Sequence, residues 1–179
     1  MPEDAGQVWV FGYGSLIWRP DFAFIEAAPA RLKGYSRRFW QGSHDHRGTP
    51  YRPGRVVTLI PDVQHHCDGV AYLLDAETVA ATFEALDYRE KNGYQRNAIR
   101  LELHDGRNVT GRVYIAPPDN DAFLGEAHPR DIARQIVQSV GPSGRNLDYL
   151  LQLAQALREL QADDSHVFEL ESLALELVR

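Results

Sequence analysis

Val8-Trp9-Val10-Phe11-Gly12-Tyr13-Gly14-Ser15-Leu16-Ile17-Trp18 is the stretch on which the fold turns. Its first four residues, two β-branched and two aromatic, read as a buried strand, and two glycines one residue apart stop it abruptly. Glycine admits positive φ and lacks the Cβ that would hold a ligand away, so Gly12 and Gly14 can aim successive backbone N–H groups into one concavity. Such a nest suits a carboxylate, a phosphate or an oxyanion; the same glycines also suffice merely to close a turn. The residues after the glycines narrow the fold. Ile17 stands where a dinucleotide-binding loop needs its third glycine, and Trp18-Arg19-Pro20 opens no helix, so this is not the start of a Rossmann unit. The absence of Gly-Lys-Ser/Thr excludes a Walker A loop.

Working outward, turn chemistry separates short elements. Arg19-Pro20-Asp21 marks a turn. Ala30 to Gln41 alternates in part and reads as two short strands, or one kinked at Gly34. Gly42 to Gly54 is loop by composition, Arg55 to Ile60 a strand ended by Pro61-Asp62, and Cys67 to Leu74 another strand. Asp75 stands where an N-cap belongs, and Val79, Phe83 and Leu86 recur at helical spacing, which predicts a helix over 76–86. Ala98 to His104 alternates, Asp105-Gly106 signals a hairpin, and Val109 to Ala116 is the return strand. Three helices fill the last third. Pro129 lies in the first turn of one, with Ile132, Ile136 and Val140 as its apolar stripe and Gly141 as its end. The next carries the stripe Leu147, Leu150, Leu151, Ala154, Leu157 and Leu160, and the last comes after the cap candidates Asp164 and Ser165. About seven short strands grouped ahead of helices predict an α+β fold: a mainly antiparallel, curved or barrel-like sheet with helices packed around it. Met1 to Gln7 read as a frayed tail, and 8–179 as a single domain.

Composition excludes several classes of function. With 44% hydrophobic and 25% charged residues, the 179-residue chain has the make-up of a soluble globular protein and not of a disordered one. No apolar run is long enough for a membrane span, and the acidic N-terminus differs from a basic-then-apolar secretory signal. One cysteine, Cys67, excludes an intrachain disulfide and fits a reducing compartment; the cytoplasm is the expected location. A net charge of −6 disfavours nonspecific contact with nucleic acid or an anionic membrane. Arg31, Lys33, Arg37, Arg38, Arg47, Arg52 and Arg55 nevertheless concentrate positive charge early in the chain, as a small-anion site or a solvated basic face.

Four groups of residues are candidates for chemistry. The loop over 42–54 is long for a compact domain, which points to a binding role, and it carries His44, Asp45, His46 and Arg47. His44 and His46, with His65-His66-Cys67, lack the paired spacing that zinc sites use, so no metal is expected. Ser15 as a nucleophile would need a histidine and an acid around it, and nothing in the spacing of His44 or His46 supplies them. Glu90 stands between Tyr88 and Tyr94, whose rings can wall a carboxyl and raise its pKa; flanked also by Arg89 and Lys91, it reads equally as a solvated surface charge. Gly141-Pro142-Ser143-Gly144 is a second glycine-rich turn, leading to Tyr149.

Taken together, several blocks resemble one family. Val10 to Trp18, Ser36-Arg-Arg-Phe-Trp-Gln-Gly-Ser43 with Asp45-His-Arg-Gly48, Pro53 to Leu59, Tyr88 to Tyr94, and Gly141 to Asn146 with Tyr149-Leu150 are similar, in order and spacing, to the ChaC family of glutathione-specific γ-glutamylcyclotransferases. The Arg-Arg-Phe-Trp-Gln and Gly-Pro-Ser-Gly blocks carry the likeness to ChaC itself, whereas the Tyr-Gly-Ser-Leu loop is shared with the wider γ-glutamylcyclotransferase-like superfamily. Asn92 departs from it, at a position where close relatives often have glycine. The resemblance implies conversion of glutathione to 5-oxoproline and cysteinylglycine with no cofactor, no metal and no obligatory protein partner. It places the catalytic glutamate on Glu90 and the substrate-binding loop on Val10, Phe11, Gly12, Tyr13, Gly14, Ser15 and Leu16. Tyr149 falls on a site tyrosine. Other γ-glutamyl amino acids or γ-glutamylamines are the alternative substrates, and a non-catalytic γ-glutamyl peptide-binding protein is the alternative class.

Overall fold

A computed structural model describes residues 6–179. Among them, five strands close a barrel in the order β1-β3-β2-β4-β5: β1 (Val8–Gly12), β2 (Glu26–Ser43), β3 (Gly54–Leu74), β4 (Gln95–Leu103) and β5 (Asn108–Ile115). All pairings in the barrel are antiparallel except the closing one, β1 with β5, which is parallel. Helix α1 (Val79–Arg89) lies between β3 and β4. Helix α2 (Pro129–Gln138), a two-stranded ribbon of β6 (Val140–Gly141) and β7 (Gly144–Arg145), α3 (Asn146–Glu159) and α4 (Ser165–Leu177) complete the chain. The expectation for Met1 to Gln7 falls largely on residues outside the described range; Gly6 and Gln7 are exposed and lead into β1.

The opening apolar run is buried on both faces, which explains its lack of polar alternation. Trp9, Phe11 and Tyr13 enter the main core, where α2, α3 and α4 contribute Ile132, Ile136, Leu150, Leu153, Leu157, Val167 and Leu170. Val10 faces the other way, into a smaller core with Leu16, Leu74, Phe83, Leu86 and Tyr114. One strand therefore joins both cores.

The α+β class and the mainly antiparallel barrel stand, but the barrel has five strands, two of them long, where about seven short ones were expected. Gly34 and Pro61 do not break the chain. They sit at a register shift, with Lys33 opposite His66 and Tyr35 opposite Pro61, so β2 and β3 bend there as continuous strands of 18 and 21 residues. The helix expected over 76–86 starts and ends three residues later. Asp75 folds a preceding turn, its Oδ1 accepting from Glu77 N–H and its carbonyl from Thr78 and Val79. At the other end Asp87-Tyr88-Arg89 contains no breaker, so the helix runs on until Glu90, its C-cap. Similarly α2 stops at Gln138, where Ser139 turns extended, and Gly141 belongs to the β6–β7 ribbon and does not end the helix.

Candidate active site

The barrel carries a cleft of about 950 Å³, its solvent-filled mouth included. Tyr13, Gly14, Ser15 and Leu16 line it together with Glu90, Tyr94, Ser143 and Tyr149. Three segments distant in sequence, the first glycine loop, the Glu90 segment and the block from Gly141 to Tyr149, meet at this one place. Phe11 also reaches the cleft, whereas Val10 and Gly12 do not line it: Val10 is fully buried against α1, and Gly12 packs on Leu16.

The glycine loop becomes a single 3-10 turn, Ser15–Ile17, in which Ile17 N–H bonds the Gly14 carbonyl. Such a turn leaves its first N–H groups, those of Ser15 and Leu16, without partners inside it. Gly14 itself is required by close approach, since a Cβ there would stand 2.9 Å from Tyr149 Oη and 3.0 Å from Val57 Cγ2. The Ser15 hydroxyl takes a hydrogen bond from Arg89 Nη2 at 3.0 Å, and among the described residues no histidine bonds it. That arrangement does not make Ser15 a nucleophile. It ties the loop to the end of α1, beside Glu90, while Arg89 Nη1 also lies 3.7 Å from Asp21.

Glu90, as the C-cap of α1, turns its side chain into the cleft. Burial pushes its carboxyl above the ordinary value, against the weaker opposing pull of Arg89 and His46. Its closest cation is Arg89, with Nε 3.9 Å from Oε1. The expected wall of Tyr88 and Tyr94 is half right. Tyr94 is there, donating to the Val57 carbonyl at 2.8 Å, but Tyr88 is 70% exposed with Lys91 over its ring. Helix continuation past Leu86 turns Tyr88 to solvent, and its place is taken by Tyr13 and Tyr149, whose phenols both sense the Glu90 charge. Burial keeps these phenols neutral, with Tyr149 pushed up to about 12. Tyr149 Oη accepts from Val57 N–H at 3.3 Å, which leaves its own proton to be donated.

The loop over 42–54 is drawn onto the cleft by the second glycine turn. A Cβ on Gly141 would stand 2.3 Å from the His46 carbonyl oxygen and 2.5 Å from Gly48 N, so the two loops meet backbone to backbone. Ser143 N–H donates to that same carbonyl at 2.9 Å. His46 Nδ1 lies 3.3 Å from Ser143 Oγ, and Nε2 lies 3.5 Å from Asp45 Oδ2. Asp45 in turn accepts from Asn92 Nδ2, which links the loop to the segment after Glu90. A run of polar residues on the long loop is thus a cleft wall, as its length indicated. Val56, Val57 and Tyr114 also line the cleft; their strands gave no sign of it, because alternation distinguishes faces of a sheet but not the end of a barrel where a site opens.

Known proteins resemble this chain in sequence and in fold. The family described as ChaC-like protein matches residues 8–177. Glutathione-specific gamma-glutamylcyclotransferase 1 of Danio rerio is 41% identical, over 99% of this chain and 96% of that protein. The Homo sapiens protein of the same name is 42% identical over 92% of this chain and 77% of its own. Among solved structures, a γ-glutamyl cyclotransferase specific to glutathione from yeast superposes with a TM-score of 0.91 at 31% identity, covering 96% of each chain. Matched along nearly its whole length in sequence and in fold, this chain belongs to the ChaC-like protein family.

Proposed function

We propose that this chain is a glutathione-specific γ-glutamylcyclotransferase, a lyase that releases 5-oxoproline and cysteinylglycine. The observation that carries the reading is Glu90: a carboxyl raised by burial, in a cleft with free N–H groups and a neutral phenol, in a chain whose relatives bear that name. The α-amine of the γ-glutamyl unit attacks its own γ-carbonyl, closes a five-membered ring and expels the cysteine nitrogen. At neutral pH that amine is mostly protonated, with an ordinary pKa of about 7.7 to 8.0, so a base must first free its lone pair. In net terms two protons leave the attacking nitrogen and two arrive on the departing one. Glu90, alternately carboxylate and acid, carries them between two atoms of the same small ring, and a raised pKa narrows the gap to the amine.

The glycine loop and Tyr149 hold the substrate in its cyclising shape. The Tyr149 hydroxyl stands against Gly14, next to the start of the 3-10 turn, and in this scheme it joins the Ser15 and Leu16 N–H groups as the receptor of the α-carboxylate or the developing oxyanion. Phe11, Tyr13 and Leu16 supply the enclosing wall; Val10 and Gly12 support the loop from behind. The single domain over 8–179 contains every residue this scheme uses, and the step chemically requires no cofactor, metal or second protein. A thiol substrate and one buried cysteine suit the cytoplasm.

The test is direct: purified protein is incubated with glutathione and the products are separated. Cysteinylglycine and 5-oxoproline in equal amounts are expected. Release of 5-oxoproline from γ-glutamylamines but not from glutathione would move the chain to another substrate, and tight glutathione binding without turnover would make it a binding protein.

A further inference from the structure

Arg47 is 6% exposed, yet among the described residues no carboxylate lies within ion-pair distance of it; only the charge of Asp148 acts on it from further off. Its Nη1 donates to the Arg145 carbonyl at 3.2 Å, and its guanidinium carbon lies 5.7 Å from the centre of the Tyr149 ring. Its backbone is equally fixed, with its N–H donating to Ser43 Oγ at 2.9 Å. A guanidinium has five N–H donors, so most of this one's capacity is unused by the protein and faces the cleft that Arg47 lines. Contrast Arg55, also buried, whose guanidinium reaches Gln135 Oε1 and the carbonyls of Phe39 and Gly125. Burying a charge without a counter-charge is costly, and an anionic ligand removes that cost.

Arg47 is joined by Arg19, which lines the same end of the cleft and makes no ion pair or side-chain hydrogen bond among the described residues. These two arginines and Ser143 also line a shallow depression outside the cleft, with Asp148, Leu151 and Gln152. The acid in that depression is already engaged, because Asp148 receives Arg145 through both of its oxygens, at 2.7 and 3.2 Å. A fixed arginine and a free one therefore mark a positive end of the cleft, where it meets the outer depression.

Resting on the cyclotransferase reading, we propose that Arg47, with Arg19 beside it, binds the C-terminal glycine carboxylate of glutathione and so selects the tripeptide over shorter γ-glutamyl compounds. The α-carboxylate is attached to the carbon that bears the attacking amine and must stay near Glu90 and the glycine loop. The glycine carboxylate lies two residues beyond the scissile bond, roughly 7 Å further in extended chain, which suits the cleft's outer end.

The probe is γ-glutamylcysteinylglycinamide, which keeps the reacting centre and lacks the terminal charge. Wild-type kcat/KM is expected to be about 10- to 100-fold lower for the amide than for glutathione, the range of a charge-assisted hydrogen bond. Arg47→Gln is expected to raise KM for glutathione by a similar factor, change kcat little, and leave turnover of the amide as in wild type. Arg47→Lys restores part of the loss. Retained amide turnover reports that the variant is folded, and Arg19→Gln, at an exposed side chain, repeats the pattern with a smaller KM rise where folding is not at stake. Equal turnover of both peptides by wild type, or an equal fall for both in Arg47→Gln, overturns the arginine site and leaves the cyclotransferase reading standing. Release of 5-oxoproline from neither peptide by wild type overturns that reading and this inference with it.

Discussion

Beneath α4, Arg37 is 3% exposed and sealed from solvent with Asp164 as its counter-charge, its Nε and Nη1 lacking hydrogen-bond partners among the described residues, whereas Glu90 is enclosed beside an open cleft with Arg89 3.9 Å away. Arg37 Nε lies 3.5 Å from Asp164 Oδ2, and its Nη2 donates to Cys67 Sγ at 2.9 Å and to the Asp68 carbonyl. Asp164 is also the N-cap of α4, accepting from Val167 N–H, and His166 on the same helix accepts from Phe39 N–H at 3.0 Å. The Arg37–Asp164 pair and the His166 bond fasten α4 to the barrel, and the other Arg37 contacts tie β2 to β3. In the cleft, Arg89 is shared among Ser15, Asp21 and Glu90, and Arg47 has no carboxylate within ion-pair distance among the described residues, only the more distant charge of Asp148. A charge buried away from solvent serves attachment; a charge buried beside an opening, with capacity left for a ligand, serves a site.

The contrast breaks most sharply at Glu90. Glu90→Gln is expected to lower kcat by about 10² to 10⁴, the worth of positioned acid–base catalysis, while calorimetry still shows glutathione binding. The same variant should be slightly more stable at neutral pH. A carboxyl whose pKa is raised on folding binds its proton more tightly in the folded state, so stability falls as pH climbs through the window above its ordinary value of 4.5. Glutamine carries no such penalty. Wild-type turnover by this variant would refute the assignment of Glu90.

Arg37→Met should do the reverse. Removing one partner of a buried pair costs about 3–5 kcal/mol, so urea midpoints should fall steeply while kcat/KM of the folded fraction holds. If activity per folded molecule also collapsed, the division between attachment and site would be wrong. A smaller effect is expected at Gly14→Val. Its Cβ would press on Tyr149 Oη and Val57 Cγ2, and overpacking on that scale should raise KM for glutathione by roughly tenfold. Unchanged KM would remove the loop from the binding surface.

The mildest test concerns His166. Burial, helped by the charges of Arg38 and Arg37, holds its pKa down to about 3, so the folded protein keeps it neutral while the unfolded chain protonates it below the ordinary 6.5. Stability is therefore lost as pH falls from 6.5 towards 3. His166→Gln should shrink the drop in melting temperature between neutral pH and about pH 5, with no change in KM. An unaltered drop would show that the imidazole is solvated.

How much of the fold and site was legible in the sequence depends on what each signal measures. Periodicity located the strands on either side of Asp105-Gly106 and the three final helices, since those patterns are local. Of the two readings of Gly34 the kinked single strand holds, whereas Pro61 does not end its strand, because a bulge absorbs residues that would end a flat one. At the site, the glycine loop, Glu90 and Tyr149 were found through motif blocks. Tyr88 was a wrong neighbour because adjacency in sequence is not adjacency on a helix, where successive residues diverge by about 100°. Tyr114 reaches the cleft from β5 by barrel closure alone, and no local pattern records where a barrel closes.

That closure has a dynamic consequence. β1 meets β3 over five residue pairs but meets β5 over two, Trp9 with Gly111 and Val10 with Arg112. This seam, as short as the two-pair seam between β2 and β4, is the one next to the cleft, and Tyr13 Oη, just beyond β1, spans it by donating to the carbonyl of Tyr114, both residues lining the cleft. Breathing of the molecule is cheapest where fewest contacts are lost, so the seam parts before the helical core does. Amide exchange at Gly111 and Arg112 becomes a clock for the intact site, and inactivation by warming should precede global melting and reverse on cooling.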